Sequence, residues 1–288
     1  METALFFLNG DKNLFGVLHQ PETNPAGIGI VMCPPFAEEK QESHRVFVNF
    51  ARMLADHGFH VLRFDYYGTG DSQGDWEEAT WESHLSDIRA GIQHLAAQGC
   101  REIGLFGLRL GGTLARVYAE ANTGVSFLIL WEPIIKVREY LYECLRANLT
   151  TQMMQRGKIL KNRQVLLADL AEGTPVNVSG YLITKMYYEG CKDIDLENLD
   201  QYPAPSYVVH IRAGYRHPDT IDYMQEDEDG ETSALSRFKK KYTHPKSREE
   251  VTSASYAFWN EPLKYYYTHY EELFNRSLAW LDGIRGKA

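Results

Sequence analysis

Along the first 130 residues the apolar positions fall into short continuous runs, each closed by turn-forming residues. Leu5-Phe6-Phe7-Leu8 and Phe15-Gly16-Val17-Leu18 come first, then Gly27-Ile28-Gly29-Ile30-Val31-Met32, which has no polar interruption. From there strand and helix periodicities alternate. Arg45 to His57 has the spacing of an amphipathic helix and precedes the strand His60-Val61-Leu62-Arg63-Phe64. Trp81 to Gln98 repeats Leu85, Ile88, Ile92 and Leu95 at helical intervals and precedes Ile103-Gly104-Leu105-Phe106. Gly111 to Asn122 is a third helix, followed by Phe127-Leu128-Ile129-Leu130. Strands that are apolar at every position are covered on both faces, so the pattern predicts a parallel sheet between helices.

After residue 136 the alternation stops. Residues 137–200 read as helical and polar without a central strand, and the buried-looking strand Ser206-Tyr207-Val208-Val209-His210-Ile211 follows them. A helical block between two strands of one sheet is an insertion over the sheet edge, where a lid would sit. The predicted organisation is therefore a core of residues 1–136 and 201–288 with a helical lid over 137–200. The acidic run Glu226-Asp227-Glu228-Asp229 and the basic run from Arg237 to Lys241 read as solvated surface. Val251 to Phe258 is the last predicted strand, and Glu271 to Ile284 closes the chain as a helix on Leu273, Leu278 and Leu281.

Composition narrows the function classes. A chain of 288 residues can bury one large core, and 30 Lys plus Arg against 39 Asp plus Glu leave a net charge of −9. That balance lacks the electrostatic footprint of a nucleic-acid binder. No apolar run approaches the roughly 18 residues of a membrane span. The start, METALFFLNGDKN, has no positive region ahead of its apolar residues, unlike a signal peptide. Cys33, Cys100, Cys144 and Cys191 are scattered with no CxxC pair, which fits a reduced, cytoplasmic protein. His44, His84, His210 and His217 are isolated in spacing, so no metal site is expected, and no cofactor.

The chemistry-bearing segments follow the strands. Gly107-Leu108-Arg109-Leu110-Gly111-Gly112 lies between a predicted strand and a predicted helix, the context of the nucleophile elbow of the α/β-hydrolase fold. Cys33-Pro34-Pro35-Phe36-Ala37-Glu38-Glu39 follows the third strand, where the oxyanion loop of that fold belongs. Asp65-Tyr66-Tyr67-Gly68-Thr69-Gly70-Asp71-Ser72-Gln73-Gly74 follows the fourth and has the Asp-x-x-Gly-x-Gly-x-Ser form found in many such hydrolases. Three motifs in this order predict the fold: a mainly parallel sheet of about eight strands with helices on both faces and a helical lid.

With these stretches, and with Trp131-Glu132-Pro133, Val178-Ser179-Gly180-Tyr181 and Phe258-Trp259, the chain resembles an α/β-hydrolase of the serine-aminopeptidase-like group. More narrowly it resembles the second of the hydrolases associated with the exosortase A system. The resemblance implies a hydrolase, from bacterial gene neighbourhoods for exopolysaccharide and protein sorting.

The elbow departs from that pattern. Its nucleophile position is Arg109, and a guanidinium has no lone pair with which to attack a carbonyl. The acid loop after the 206–211 strand offers only a late Asp219, and the histidine position before the last helix falls near Phe258-Trp259-Asn260, with His269 as a substitute. A cation at a helix N-terminus needs a negative partner. Glu132, Glu38 and Glu39 are the candidates within the chain.

Three functions remain open on these residues. Arg109, with the backbone N–H groups of Phe36 and Leu110, can form a pocket for a carboxylate or phosphate small molecule. Alternatively, Glu38, Glu39 or Glu132 activates a water while Arg109 stabilises an oxyanion, as in a non-classical hydrolase or acyl-transfer enzyme. In the third, Arg109 is half of a structural ion pair in a scaffold protein. Trp259 and the Tyr265-Tyr266-Tyr267 cluster are candidate pocket linings, Cys33 is read as a structural thiol, and the oligomeric state is left open.

Overall fold

An antiparallel hairpin, β1 (Glu2–Asn9) and β2 (Lys12–His19), opens the sheet, and β3 (Ile28–Cys33) follows with all six residues buried. The structure, a computed structural model, describes residues 1–23, 25–213, 240–254, 257–259 and 270–285. Next come α1 (Glu38–Asp56), β4 (His60–Phe64), α2 (Trp81–Ala97), β5 (Glu102–Leu108), α3 (Leu110–Ala121) and β6 (Leu128–Trp131). A block without a central-sheet strand holds α4 (Val137–Arg156), α5 (Arg163–Glu172), the small strands β7 (Val176–Val178) and β8 (Tyr181–Ile183), and α6 (Lys185–Cys191). β9 (Ser206–Ala213), β10 (Arg248–Ala254) and α7 (Tyr270–Ile284) complete the described elements.

The eight-stranded sheet has the order β1-β2-β4-β3-β5-β6-β9-β10. Pairings are antiparallel at β1–β2 and β2–β4 and parallel from β4 to β10. This is the α/β-hydrolase architecture expected from the motifs. Alternation along β3 explains the two cores. Ile28, Ile30 and Met32 join a cluster with Phe47 and Phe50 of α1 and Phe274 and Leu281 of α7. Val31 and Cys33 face the other way, against Ile88 and Leu95 of α2 and Leu114 of α3. Trp131 locks the first cluster: its ring lies 4.7 Å from Phe50 and 5.9 Å from Phe274, and its indole N–H donates to Ser277 Oγ at 3.2 Å. No helix of the described residues is long and apolar enough to cross a membrane.

Three boundaries differ from the sequence pattern, each for a physical reason. α1 begins at Glu38 rather than Arg45, because its first two turns are polar and carry no apolar period, yet Glu39 and Ser43 are buried. β10 starts at Arg248, not Val251, and ends at Ala254; its charged start is used in pairing, with Glu249 on His210 at 2.7 Å and Glu250 on the Tyr207 hydroxyl at 2.6 Å. His210, isolated in sequence, is thus partnered across the sheet. The block 137–200 also contains a hairpin, since Ser179 (φ 48) and Gly180 (φ 93) form a two-residue turn with positive φ at both positions.

One buried carboxyl gives the core a pH signature. Asp87 of α2 is fully buried and accepts the Tyr67 N–H at 2.8 Å and Asn9 Nδ2 at 2.7 Å, and burial pushes its pKa from 3.8 up to about 6. A raised folded value favours the protonated form, so this stabilisation is complete below pH 3.8 and lost as pH rises through about 6. The amount is about 3 kcal/mol. Asp87→Asn is therefore expected to flatten the stability profile between about pH 4 and 6.5, measured as urea midpoints across a pH series. Parallel profiles for wild type and variant would contradict this account.

Candidate functional site

β5 passes into α3 through Arg109, whose backbone has φ 52 and ψ −125. A side chain in that region costs on the order of 1–3 kcal/mol of strain. The turn is held by Arg109 N–H to Trp131 O at 3.0 Å and by Gly112 N–H to Arg109 O at 2.9 Å. Its neighbours must be small. A Cβ on Gly107 would stand 2.5 Å from Gly111 O, and one on Gly111 only 2.2 Å from Cys33 O. The glycines thus let the elbow press against the end of β3, and the side chain at 109 is the one pushed out.

The loop after β3 ends in the same way. Ala37, preceding α1, has φ 52 and ψ −126 and no side-chain cap. That turn sends Glu38 outward to solvent and Glu39 inward, where it is 9% exposed. Phe36 and Leu110 donate their backbone N–H groups to no partner among the described residues.

Arg109 and Glu39 meet between these two turns. Arg109 Nε contacts Glu39 Oε1 at 3.2 Å, with side chains 19% and 12% exposed, and Glu39 Oε2 accepts the Tyr140 hydroxyl at 3.0 Å. The guanidinium lies between two rings, 5.5 Å from Tyr140 and 5.2 Å from Trp259. Only Nε is engaged; among the described residues neither Nη has a hydrogen-bond partner. Burial, the largest influence, pushes the Glu39 carboxyl up against the pull of Arg109 and Tyr140. Burial also opposes the Arg109 charge, but Glu39, Tyr140 and Glu132 outweigh it and hold the guanidinium above its ordinary value.

The other sequence candidates separate. Glu132 (φ 44) turns its carboxylate to β9, where Oε2 accepts the Ile211 N–H at 2.5 Å, and it makes no hydrogen bond to Arg109. Glu38 is exposed and apart from the pair. Phe36 and Leu110 line one small cavity of about 20 Å³ beside Trp76, His84, Tyr181 and Tyr187, which is room for about one water. Trp259 is 4% exposed and its ring lies 5.2 Å from the Arg109 guanidinium. Tyr140 was not singled out in the sequence. Its signal is the buried stripe Val137, Tyr140, Leu141, Leu145 on α4, with its hydroxyl the one polar group in that stripe.

Cys33 is fully buried, and burial pushes its thiol up to about 12, so it stays protonated and non-nucleophilic. In the loop after β4, Asp65 pairs with Lys40 at 2.6 Å and accepts the Asp71 N–H at 3.0 Å, while Ser72 Oγ accepts the Phe15 N–H at 2.9 Å. These are turn-holding roles. Asp219, His217, His269, the Tyr265-Tyr266-Tyr267 cluster and the acidic run lie outside the described residues. The described residues hold no group of three or more His, Cys, Asp or Glu arranged for a metal.

Residues 39–198 match the family described as serine aminopeptidase, S33. An acyl transferase of Photobacterium leiognathi is 27% identical over 157 residues, 54% of this chain and 46% of that protein. One of Shewanella hanedai is 29% identical over 104 residues, 35% of this chain and 33% of that protein. The matched stretch is thus less than half the length of either relative. Among solved structures, Est1E from Butyrivibrio proteoclasticus with ferulic acid bound has a TM-score of 0.64 at 18% identity, covering 96% of this chain and 98% of its own. Proline iminopeptidase from Mycobacterium smegmatis has a TM-score of 0.60 at 15% identity, covering 98% of both. At these identities the likeness is one of fold.

Proposed function

This chain belongs to the serine aminopeptidase family of α/β-hydrolases, and we propose that it is a member that binds a small carboxylate or phosphate at the elbow without Ser-His-Asp hydrolysis. The observation that carries this reading is the single Nε tie between Arg109 and Glu39, which leaves the outer fork of a permanently charged guanidinium without a hydrogen-bond partner among the described residues. The N–H groups of Phe36 and Leu110, without a partner among the described residues, line a cavity of about 20 Å³ whose lining does not include Arg109, so the guanidinium is the group that would hold the carboxylate. Each charge-assisted hydrogen bond contributes about 1.5–3 kcal/mol. Glu39 and Glu132 subtract from this by repulsion, so the expected affinity lies between about 1 mM and 1 µM. The relatives named acyl transferases favour a carboxylate, the form an acyl group takes when free.

The geometry weighs against a glutamate-activated water. That mechanism needs a buried carboxylate free to take a proton. Glu39 has both oxygens engaged, Glu132 anchors the Ile211 N–H, and Glu38 is exposed.

Titration calorimetry with acetate, butyrate, octanoate and inorganic phosphate tests the proposal. Wild type is expected to bind at least one of them, and Arg109→Gln to lose at least about tenfold in affinity. Equal binding by the variant, or none by wild type, would overturn it. A fluorophosphonate probe is expected to leave the protein unlabelled; stoichiometric labelling would reveal a serine nucleophile and sink the reading.

A further inference from the structure

We propose that the loop joining α4 to α5 docks on an anionic lipid surface. Every residue from 153 to 165 is exposed. Five of the ten exposed large apolar side chains among the described residues lie there: Met153 at 49%, Met154 at 82%, Ile159 at 46%, Leu160 at 56% and Val165 at 42%. The same stretch carries Arg156, Lys158, Lys161 and Arg163 and no acid, in a chain whose net charge is −9; Lys161 is paired with Asp169 of α5 at 2.7 Å and Arg163 lies 5.5 Å from the Tyr142 ring, so Arg156 and Lys158 are the cations offered outward. A local patch of this kind acts within a screening length of about 8–10 Å, so the distant acidic charge does not cancel it.

The loop is built rather than loose. Gly157 (φ 66) ends α4, with its N–H on Met153 O at 2.9 Å. Gln152 Oε1 accepts the N–H groups of Leu160 and Lys161, each at 2.8 Å, and its Nε2 donates to Lys161 O at 2.9 Å. Asn162 then caps α5 through the Val165 N–H at 3.1 Å. Hydrogen bonds thus fix a turn whose exposed side chains mix apolar and cationic groups. Nothing among the described residues covers them.

That mixture selects the occupant. A bilayer interface offers anionic groups to the cations and an apolar layer to the methionine, isoleucine and leucine side chains between them, without needing a matching groove. An acidic protein surface would satisfy the cations but leave the apolar tips wet. A second copy would set Arg156 and Lys158 against the same cations of its partner. The proposal stands independently of the ligand at Arg109.

Co-sedimentation of the full chain with phosphatidylcholine vesicles, with and without about 30% phosphatidylglycerol, tests it. Binding is expected only with the anionic lipid, at least about tenfold tighter than to phosphatidylcholine alone and weakened by salt. Arg156→Glu with Lys158→Glu is expected to lower the affinity at least about tenfold. Met154→Ser with Leu160→Ser is expected to lower it while leaving its salt dependence in place. All four residues are exposed, and unchanged circular dichroism spectra and urea midpoints check that the variants fold. Absence of binding to anionic vesicles, or binding that none of these substitutions alters, would overturn the proposal. Retention on polyglutamate without vesicle binding would replace it with an acidic protein partner. A dimer in sedimentation velocity that Met154→Ser dissolves would replace it with a second copy.

Discussion

Arg109→Ala is expected to destabilise the protein by about 3 kcal/mol, and by more at about pH 8 than at about pH 5. The substitution removes the cation from a pair whose side chains are only 19% and 12% exposed and leaves Glu39 with the Tyr140 hydroxyl alone. Breaking a buried pair by deleting one partner typically costs about 3–5 kcal/mol, and the residual exposure places this one at the lower end. Two ring contacts, with Tyr140 and Trp259, go with it. The pH dependence follows from Glu39, whose folded value already stands above 4.5 because of burial. Stability from a raised carboxyl is present below 4.5 and lost as pH rises through the folded value. Without Arg109 that value climbs further, so the loss continues to higher pH.

Two companion variants sharpen the test. Arg109→Gly is expected to be more stable than Arg109→Ala by about 1 kcal/mol, because glycine alone adopts φ 52 without strain. Arg109→Met combined with Glu39→Met should recover most of the loss, since no unpaired charge remains. Urea midpoints read all three. If Arg109→Ala is neutral at both pH values, the pair does not stabilise the fold.

Gly111→Ala is expected to be the more damaging change, costing at least about 3 kcal/mol. The added methyl would stand 2.2 Å from Cys33 O and 2.5 Å from Pro34 O, which are backbone atoms at the buried end of β3 and cannot swing aside as a side chain would. Relief requires separating the elbow from the loop that carries Phe36, so ligand binding at Arg109 should fail together with stability. Gly124→Ala, where the added methyl meets nothing within 4 Å, is the control. Equal urea midpoints for the two variants would show that the elbow is not packed as described.

The fold was legible because its central strands are apolar at successive positions. β3, β4, β5 and β6 are readable as runs, and the glycines at 107, 111 and 112 mark the elbow by the space they leave. Where polar residues enter a strand for pairing, the pattern misleads, as at Arg248-Glu249-Glu250 of β10. The partner of Arg109 was legible only as one of three glutamates. Adjacent residues on a helix point about 100° apart, and choosing Glu39 over Glu38 required knowing that α1 starts at residue 38 after the unusual turn at Ala37. Tyr140 lies 101 positions from Glu39. No spacing rule connects them; only the packing of α4 over the elbow does.

The matched turns at Ala37 and Arg109 have a lasting consequence. Each starts a helix, and Glu39 in the first turn of one reaches the residue that begins the other, so two amino-terminal ends crowd a single point. Their partial positive charges come from main-chain geometry and survive any exchange of side chains. Whatever side chain stands at 109, the two helix starts leave a spot that welcomes negative charge, and in this chain Glu39 reaches it.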